Sequence, residues 1–182
     1  MNPLNTIKGT LIAGLVFAIV IGLFTFGIQL NELSLLVWLH VFAGVIWIGM
    51  LYYFNFVQVP ALAAAAKDQG GPGGAGVSKY VAPRALLWVR WGAVATWLTG
   101  AIVLERTNMF VEAFTLGLRQ NAPATATFIG VGAWLGTIML FNVWVLIWPN
   151  QKKILGIVAA TDDEKAKARK VALYASRTNF IL

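Results

Sequence analysis

Four apolar segments set the strongest limit on what this chain can fold into. They cover about residues 9–30, 34–59, 85–104 and 125–148. A helix of about 20 residues crosses the hydrocarbon core of a bilayer, so each segment is long enough to span. A fifth apolar stretch, residues 171–182, is too short to cross, and we expect the natural protein to continue past Leu182. The pattern predicts an all-α membrane protein: a single-domain bundle of four transmembrane helices plus a fifth that begins at the C-terminus.

Composition supports the membrane interpretation and excludes several kinds of chemistry. The chain is 59% hydrophobic and 12% charged, whereas soluble domains have about 25% charged residues. The net charge is +7, and most of the basic residues lie in loops next to apolar segments, which indicates contact with anionic lipid and not with nucleic acid. The absence of cysteine excludes disulfides, iron–sulfur clusters, thiol catalysis and covalently attached c-type haem.

The loop charges predict an orientation. The N-terminal tail, the second loop and the fourth loop hold one, three and six Lys or Arg residues, against none and two in the first and third loops. Positive charge concentrates on the cytoplasmic side of a membrane. We therefore predict a bacterial inner-membrane protein whose N-terminus is cytoplasmic, with His40 near the periplasmic end of its helix.

His40 is the leading candidate for chemistry, because an ionisable side chain inside an apolar helix is costly unless it has a function. At 100° per residue it shares one face of the second helix with Gly44, Trp47 and Asn55. An imidazole beside a glycine notch suits a flat macrocycle, and His is a common haem ligand. Three interpretations stay open: a ligand of b-type haem, a structural or proton-handling histidine, and a ligand of another metal.

The remaining polar candidates are scattered over the other helices. Met109, predicted on the same side of the membrane as His40, is the least implausible second ligand within the chain. Arg90, between two tryptophans, is either a snorkelling side chain or the counter-ion of a bound carboxylate. Asn142 is expected to hydrogen-bond between helices. Arg177 and Asn179 are polar positions near the C-terminus that face the bundle interior or a partner protein.

Local patterns predict further details. Thr161 followed by Glu164 is a capping box, which marks the start of a helix. A short interfacial helix is expected around residues 110–118. The small residues of 92–100 and the pair Gly132 and Gly136 are expected to bring helices close together. No nucleophile–base pair, paired carboxylates or phosphate-binding loop is present, so the chain shows no catalytic machinery of its own.

The order of these motifs resembles a known family. Residues 39–49, Leu-His-Val-Phe-Ala-Gly-Val-Ile-Trp-Ile-Gly, resemble the histidine helix of bacterial membrane-bound urate hydroxylases, the urate oxidase N-terminal family. Residues 87–91 and 96–100 resemble the next helix of that family, and residues 134–136 and 175–179 continue the likeness in order. The resemblance covers about residues 33–182. It implies a cofactor-ligand role for His40 and marks the arginines at 90 and 177 as conspicuous positions.

The chain also departs from the family pattern. Family members carry a C-terminal cytochrome c domain that takes electrons from urate oxidation, and these 182 residues contain none. The glycine-rich stretch at residues 70–76 lacks the histidine expected before Lys79, and Gly92 stands where the family has an acidic residue. These departures weaken the transfer of urate chemistry more than that of the fold.

Together these observations predict a small membrane subunit. The leading function is binding of b-type haem and electron transfer to a separate cytochrome c or oxidase partner. The alternative is a non-catalytic accessory subunit that packs within a larger membrane complex, and urate oxidation by this chain alone ranks third.

Overall fold

The protein was studied as a computed structural model, which describes residues 2–26 and 31–182. This part of the chain is all-helical, which confirms the predicted fold class. The helices are α1 (Ile7–Phe26), α2 (Glu32–Lys67), α3 (Val77–Arg106), α4 (Phe110–Phe114), α5 (Thr125–Ile154) and α6 (Asp162–Ile181). Four of them, α1, α2, α3 and α5, are long and apolar enough to cross a membrane.

The chain divides into two compact units, Met1–Leu35 and Leu36–Leu182. The first contains a short 3-10 turn, Pro3–Asn5, in which the Leu4 backbone N–H donates to the side chain of Asn2, followed by α1. The second contains most of α2 and all later helices, and it holds every candidate residue named above.

Three helices continue through a proline because a wider π-helical turn precedes it. The π turns cover Tyr53–Gln58 in α2, Val77–Val81 in α3 and Asn142–Ile147 in α5. A proline ring clashes with the carbonyl four residues earlier. For Pro60, Pro83 and Pro149 that carbonyl belongs to a π turn, where the chain is looser. The helices therefore extend past the predicted segments, which stop or start beside these prolines.

The core of the second unit lies between α2, α3, α5 and α6. Gly92 of α3 packs directly on α2, since a Cβ added there would lie 3.3 Å from the backbone nitrogen of Trp47. The buried side chains form one cluster: Trp47, Leu51, Leu86, Val89, Ala93, Met139, Val143, Ile147 and Ala175.

Helix α6 begins with the predicted capping box, which is confirmed. The Thr161 backbone N–H donates to Glu164 Oε2 at 2.8 Å, and the Glu164 N–H donates to Thr161 Oγ1. The hydrogen bond from the Thr161 backbone holds the pKa of Glu164 below its ordinary value. From there α6 lays a narrow stripe of small residues, Ala168, Ala172, Ala175 and Asn179, into the core.

Two side-chain hydrogen bonds attach α6 to the wide turns of other helices. Asn142 Nδ2 donates to Asn179 Oδ1 at 2.7 Å, and Asn179 Nδ2 donates to the Met139 carbonyl at 3.0 Å. Asn55 Nδ2 donates to Ser176 Oγ at 3.1 Å. Both asparagines, Asn55 and Asn142, lie in π turns.

Replacing Asn179 with leucine is expected to lower stability. Asn179 is 1% exposed, and its loss leaves Asn142 without its acceptor in apolar surroundings. A buried polar group without a partner costs about 1–3 kcal/mol. Thermal unfolding in detergent micelles measures the loss, and replacing both asparagines with leucine should recover part of it. A double variant that is less stable than the sum of the single variants would contradict this view of the pair.

Candidate functional site

A cavity of about 540 Å³ lies within the second unit, between α2, α3, α4 and α5. Its size falls within the range of about 300–1,000 Å³ that is typical of small-molecule and cofactor sites. The wall is mostly apolar and holds a few polar groups, among them His40 and the hydroxyls of Thr96 and Thr107. His40 is its only titratable lining side chain within the described residues. The cavity therefore presents one imidazole to an apolar space.

The backbone of α3 fixes the tautomer of His40. The Nδ1 atom lies 2.8 Å from the carbonyl oxygen of Thr96. A carbonyl oxygen only accepts hydrogen bonds, so Nδ1 carries the proton and donates it. The hydroxyl of Thr99, 3.3 Å from Nδ1, donates its own proton to the Ala95 carbonyl at 2.6 Å and faces the imidazole as an acceptor.

This arrangement leaves Nε2 of the neutral ring with a free lone pair. Over residues 2–26 and 31–182, no group forms a hydrogen bond with His40 Nε2. Histidines that bind metals are oriented in this way, with the other ring nitrogen donating to a carbonyl or carboxylate. A neutral imidazole held so can accept a proton from a ligand or donate its lone pair to a metal.

Glycines give the imidazole its room. A Cβ added to Gly100 would lie 2.8 Å from His40 Cε1 and 3.1 Å from Nδ1, so only glycine lets α3 approach the ring here. Gly132 and Gly136 of α5 also line the cavity, and a Cβ at either would meet nothing within 4 Å. The sequence predicted that these two glycines bring helices together. Instead they leave open space in the cavity wall.

Two of the predicted cofactor residues line the cavity and two do not. His40 and Trp47 are in its wall, two turns apart on the same face of α2. Gly44, between them, faces α3, where a Cβ would make an ordinary contact with Thr96 Cγ2 at 3.8 Å. Met109 precedes α4 and is not among the lining residues. The structure therefore does not bring Met109 to the imidazole.

Arg90 of α3 lies outside the His40 cavity and packs on two tryptophans of α5. Its guanidinium carbon lies 3.3 Å from the centre of the Trp148 ring and 5.9 Å from that of Trp144. Nε and Nη1 are buried and, in the described part of the chain, have no hydrogen-bond acceptor. In the sequence Arg90 lies between Trp88 and Trp91 of α3. The aromatic rings that it contacts, Trp144 and Trp148, belong to α5.

The other predicted polar residues serve packing or face outward. Asn55, Asn142 and Asn179 make the interhelical hydrogen bonds described above. Arg177 is exposed, on the side of α6 opposite its buried stripe of small residues. None of these four lines the cavity.

Sequence reasoning missed the residues of α3 and α4 that complete the site. Thr96 contributes a backbone carbonyl, which no side-chain pattern reveals. The spacing of Gly92, Thr96 and Gly100 predicts only close packing of helices, and it does not indicate a hydrogen bond to His40. Among the described residues no group of three or more His, Asp or Glu side chains is placed to hold a metal, so a metal here would depend on His40.

A comparison with known protein families finds a match in the C-terminal part of the chain. Residues 105–182, from the end of α3 through α6, match the family described as urate oxidase N-terminal. Comparisons with curated proteins and with solved structures gave no match. The match begins after His40, so it covers one wall of the cavity and not the imidazole. The predicted resemblance to the urate oxidase N-terminal family is thus confirmed for residues 105–182, and for residues 33–104 it stays a prediction.

Proposed function

We propose that this protein is a membrane subunit that binds b-type haem through His40 and passes electrons to a separate cytochrome or oxidase. The observation that carries the proposal is the free Nε2 lone pair at the wall of an apolar cavity. The proton on Nδ1 is held by the Thr96 carbonyl, so the ring is oriented before any ligand arrives. Such support is typical of histidines that bind metals.

The residues of the cavity fit a flat, mostly apolar group. Gly100, Gly132 and Gly136 leave the wall free of side chains, and Trp97 and Phe114 add aromatic surface. Bound haem would supply one-electron chemistry, with its potential set by the axial ligand and the polarity around it. The chain contributes the ligand atom, the orientation of the ring and a mostly apolar space.

The apolar helices favour an inner-membrane location with lipid around the bundle. The excess of basic residues in the tail and in the second and fourth loops supports a cytoplasmic N-terminus. His40 would then lie toward the periplasmic side, near periplasmic electron carriers.

The decisive experiment is an absorbance spectrum of the purified protein after expression with ample haem. We expect a Soret band in the natural protein and its loss in His40→Ala, since the proposed iron ligand is removed. Imidazole added to His40→Ala should restore the band, because the variant leaves a space of that shape. Circular dichroism controls for folding.

A colourless natural protein that co-purifies with a larger membrane complex would contradict haem binding. That result would favour the second candidate, a non-catalytic accessory subunit. The observation behind this alternative is the large apolar surface of α2, α3 and α5, which suits other helices as well as lipid.

A further inference from the structure

Arg90 carries a positive charge that the fold does not neutralise. The residue is 8% exposed, and no carboxylate within residues 2–26 and 31–182 forms an ion pair with it. Two guanidinium nitrogens, Nε and Nη1, are enclosed without an acceptor. The third, Nη2, is not enclosed and has no hydrogen bond to the described residues, so it is the atom that a ligand can reach. A charge buried to this extent costs free energy unless an anion pairs with it.

A second cation shares the aromatic ring on which Arg90 stacks. The Arg90 guanidinium carbon lies 3.3 Å from the centre of the Trp148 ring, and Lys152 Nζ lies 5.8 Å from the same centre. The two charges are therefore closer together than the Debye length of about 10 Å in 0.1 M salt, so salt does not fully screen their repulsion. Lys152 has no ion pair in the part of the chain that the structure describes. An anion beside Trp148 would interact favourably with both cations.

These charges lie where the helices leave the apolar part of the membrane. Trp148 ends the apolar segment 125–148, and the polar run 149–153 follows it directly. Arg90 begins five residues inside the apolar segment of α3, but its guanidinium reaches the Trp148 ring. Tryptophans are enriched at the level of the lipid headgroups, and long basic side chains that begin in hydrocarbon extend their charge to that level. The two cations are therefore placed at the depth of lipid phosphates.

An exposed aromatic surface adjoins the cations. The Trp144 ring centre is 5.9 Å from the Arg90 guanidinium carbon, and the edge of that ring system meets Trp91 at a centre-to-centre distance of 5.7 Å. Trp91 is 56% exposed. Its outer surface is apolar and continues from the charged position toward the membrane interior. Such a surface suits an acyl chain.

We infer that Arg90 and Lys152 bind the phosphate of an anionic phospholipid, with an acyl chain against Trp91. Arg90 Nη2 donates a hydrogen bond to a phosphate oxygen, and Lys152 supplies the second positive charge. Two cations favour a headgroup with net negative charge over a zwitterionic one, whose ammonium they repel. Basic positions between membrane helices on the cytoplasmic side bind anionic headgroups in other proteins, and the loop charges predict that this end of the bundle is cytoplasmic. The inference does not depend on haem.

The test compares Arg90→Gln and Lys152→Gln with the control Arg84→Gln. Arg84 is an exposed basic residue on α3, but it donates to the Tyr80 carbonyl and is not one of the cations on the Trp148 ring. The full chain in detergent micelles is titrated separately with phosphatidylglycerol, phosphatidylcholine and inorganic phosphate. Native mass spectrometry counts the bound lipid, and thermal unfolding reports stabilisation by each addition.

We expect the natural protein to prefer phosphatidylglycerol to phosphatidylcholine. Arg90→Gln should weaken phosphatidylglycerol binding about tenfold, because it removes a charge-assisted hydrogen bond. Lys152→Gln should weaken it less, about threefold, since the lysine acts mainly through its charge. Arg84→Gln should bind as the natural protein does. If Arg90→Gln does not fold, the comparison of Lys152→Gln with Arg84→Gln decides, because both residues are accessible to solvent.

Three results would overturn the inference. Equal losses in all three variants would mean that lipid responds to the overall charge of this end of the bundle. Unchanged binding in Arg90→Gln and Lys152→Gln would mean that water alone solvates the two cations. Stabilisation by inorganic phosphate equal to that by phosphatidylglycerol would assign the position to a soluble anion instead of a lipid.

Discussion

Replacing Gly100 with alanine is expected to displace the His40 imidazole and to lower haem affinity at least about tenfold. The new Cβ would lie 2.8 Å from His40 Cε1, well inside contact distance. A shift of the ring away from this Cβ disturbs its 2.8 Å hydrogen bond to the Thr96 carbonyl. Without that bond neither the protonated nitrogen nor the direction of Nε2 is fixed.

The matched control for this prediction is Gly136→Ala. Gly136 lines the same cavity, but a Cβ there meets nothing within 4 Å. The Gly136→Ala substitution takes a similar volume from the cavity as Gly100→Ala does, but its new methyl group does not contact the imidazole. Haem titration followed by absorbance should show a large loss for Gly100→Ala and little change for the control. An equal loss in both would mean that cavity volume, and not the position of His40, limits binding.

Gly130→Ala is expected to cause the largest loss of stability among the glycine-to-alanine substitutions in α5. A Cβ at this position would lie 2.1 Å from the carbonyl oxygen of Ala113, an atom of the backbone of α4 that cannot rotate away. Ala113 and Ala126, on the two sides of this contact, are fully buried. Overpacking of this kind costs about 1–3 kcal/mol. Thermal unfolding in detergent micelles measures the difference from the natural protein.

Gly49→Ala provides the comparison for Gly130→Ala. A Cβ on Gly49 meets nothing within 4 Å. Alanine in a helix is favoured over glycine by about 0.5–1 kcal/mol, so this variant should be as stable as the natural protein or slightly more so. If Gly130→Ala melts at the same temperature as Gly49→Ala, the close approach of α4 to α5 does not contribute to stability.

Much of the fold was predictable, because the bilayer sets the length of a spanning helix and apolar segments are visible in any sequence. The capping box at Thr161 was predictable for a similar reason, since both partners lie within one turn. The ends of the long helices were not. Pro60 and Pro149 suggested that α2 and α5 stop, but a π turn ahead of each proline lets the helix continue. Such turns depend on packing against other helices.

The candidate site was predictable only in part. His40 stands out in the sequence because an imidazole is rare in an apolar helix. Its partner does not, because the Thr96 carbonyl belongs to the backbone of another helix, 56 residues away in sequence. The contacts of Arg90 were hidden for the same reason: its neighbours in sequence are tryptophans, but the rings it stacks on come from α5. Contacts between helices depend on their relative rotation, which periodicity alone does not supply.

The π turns have a consequence for how the chain tolerates insertions and deletions. A π turn holds about one residue more than an α turn, so it shifts the angular phase of everything after it by about 100°. Asn55 and Asn142 lie within two of these turns and reach Ser176 and Asn179 on the same helix. Loss of one residue from either turn would rotate its asparagine away from α6. The C-terminal helix therefore keeps its place only while two distant stretches of chain keep their exact length.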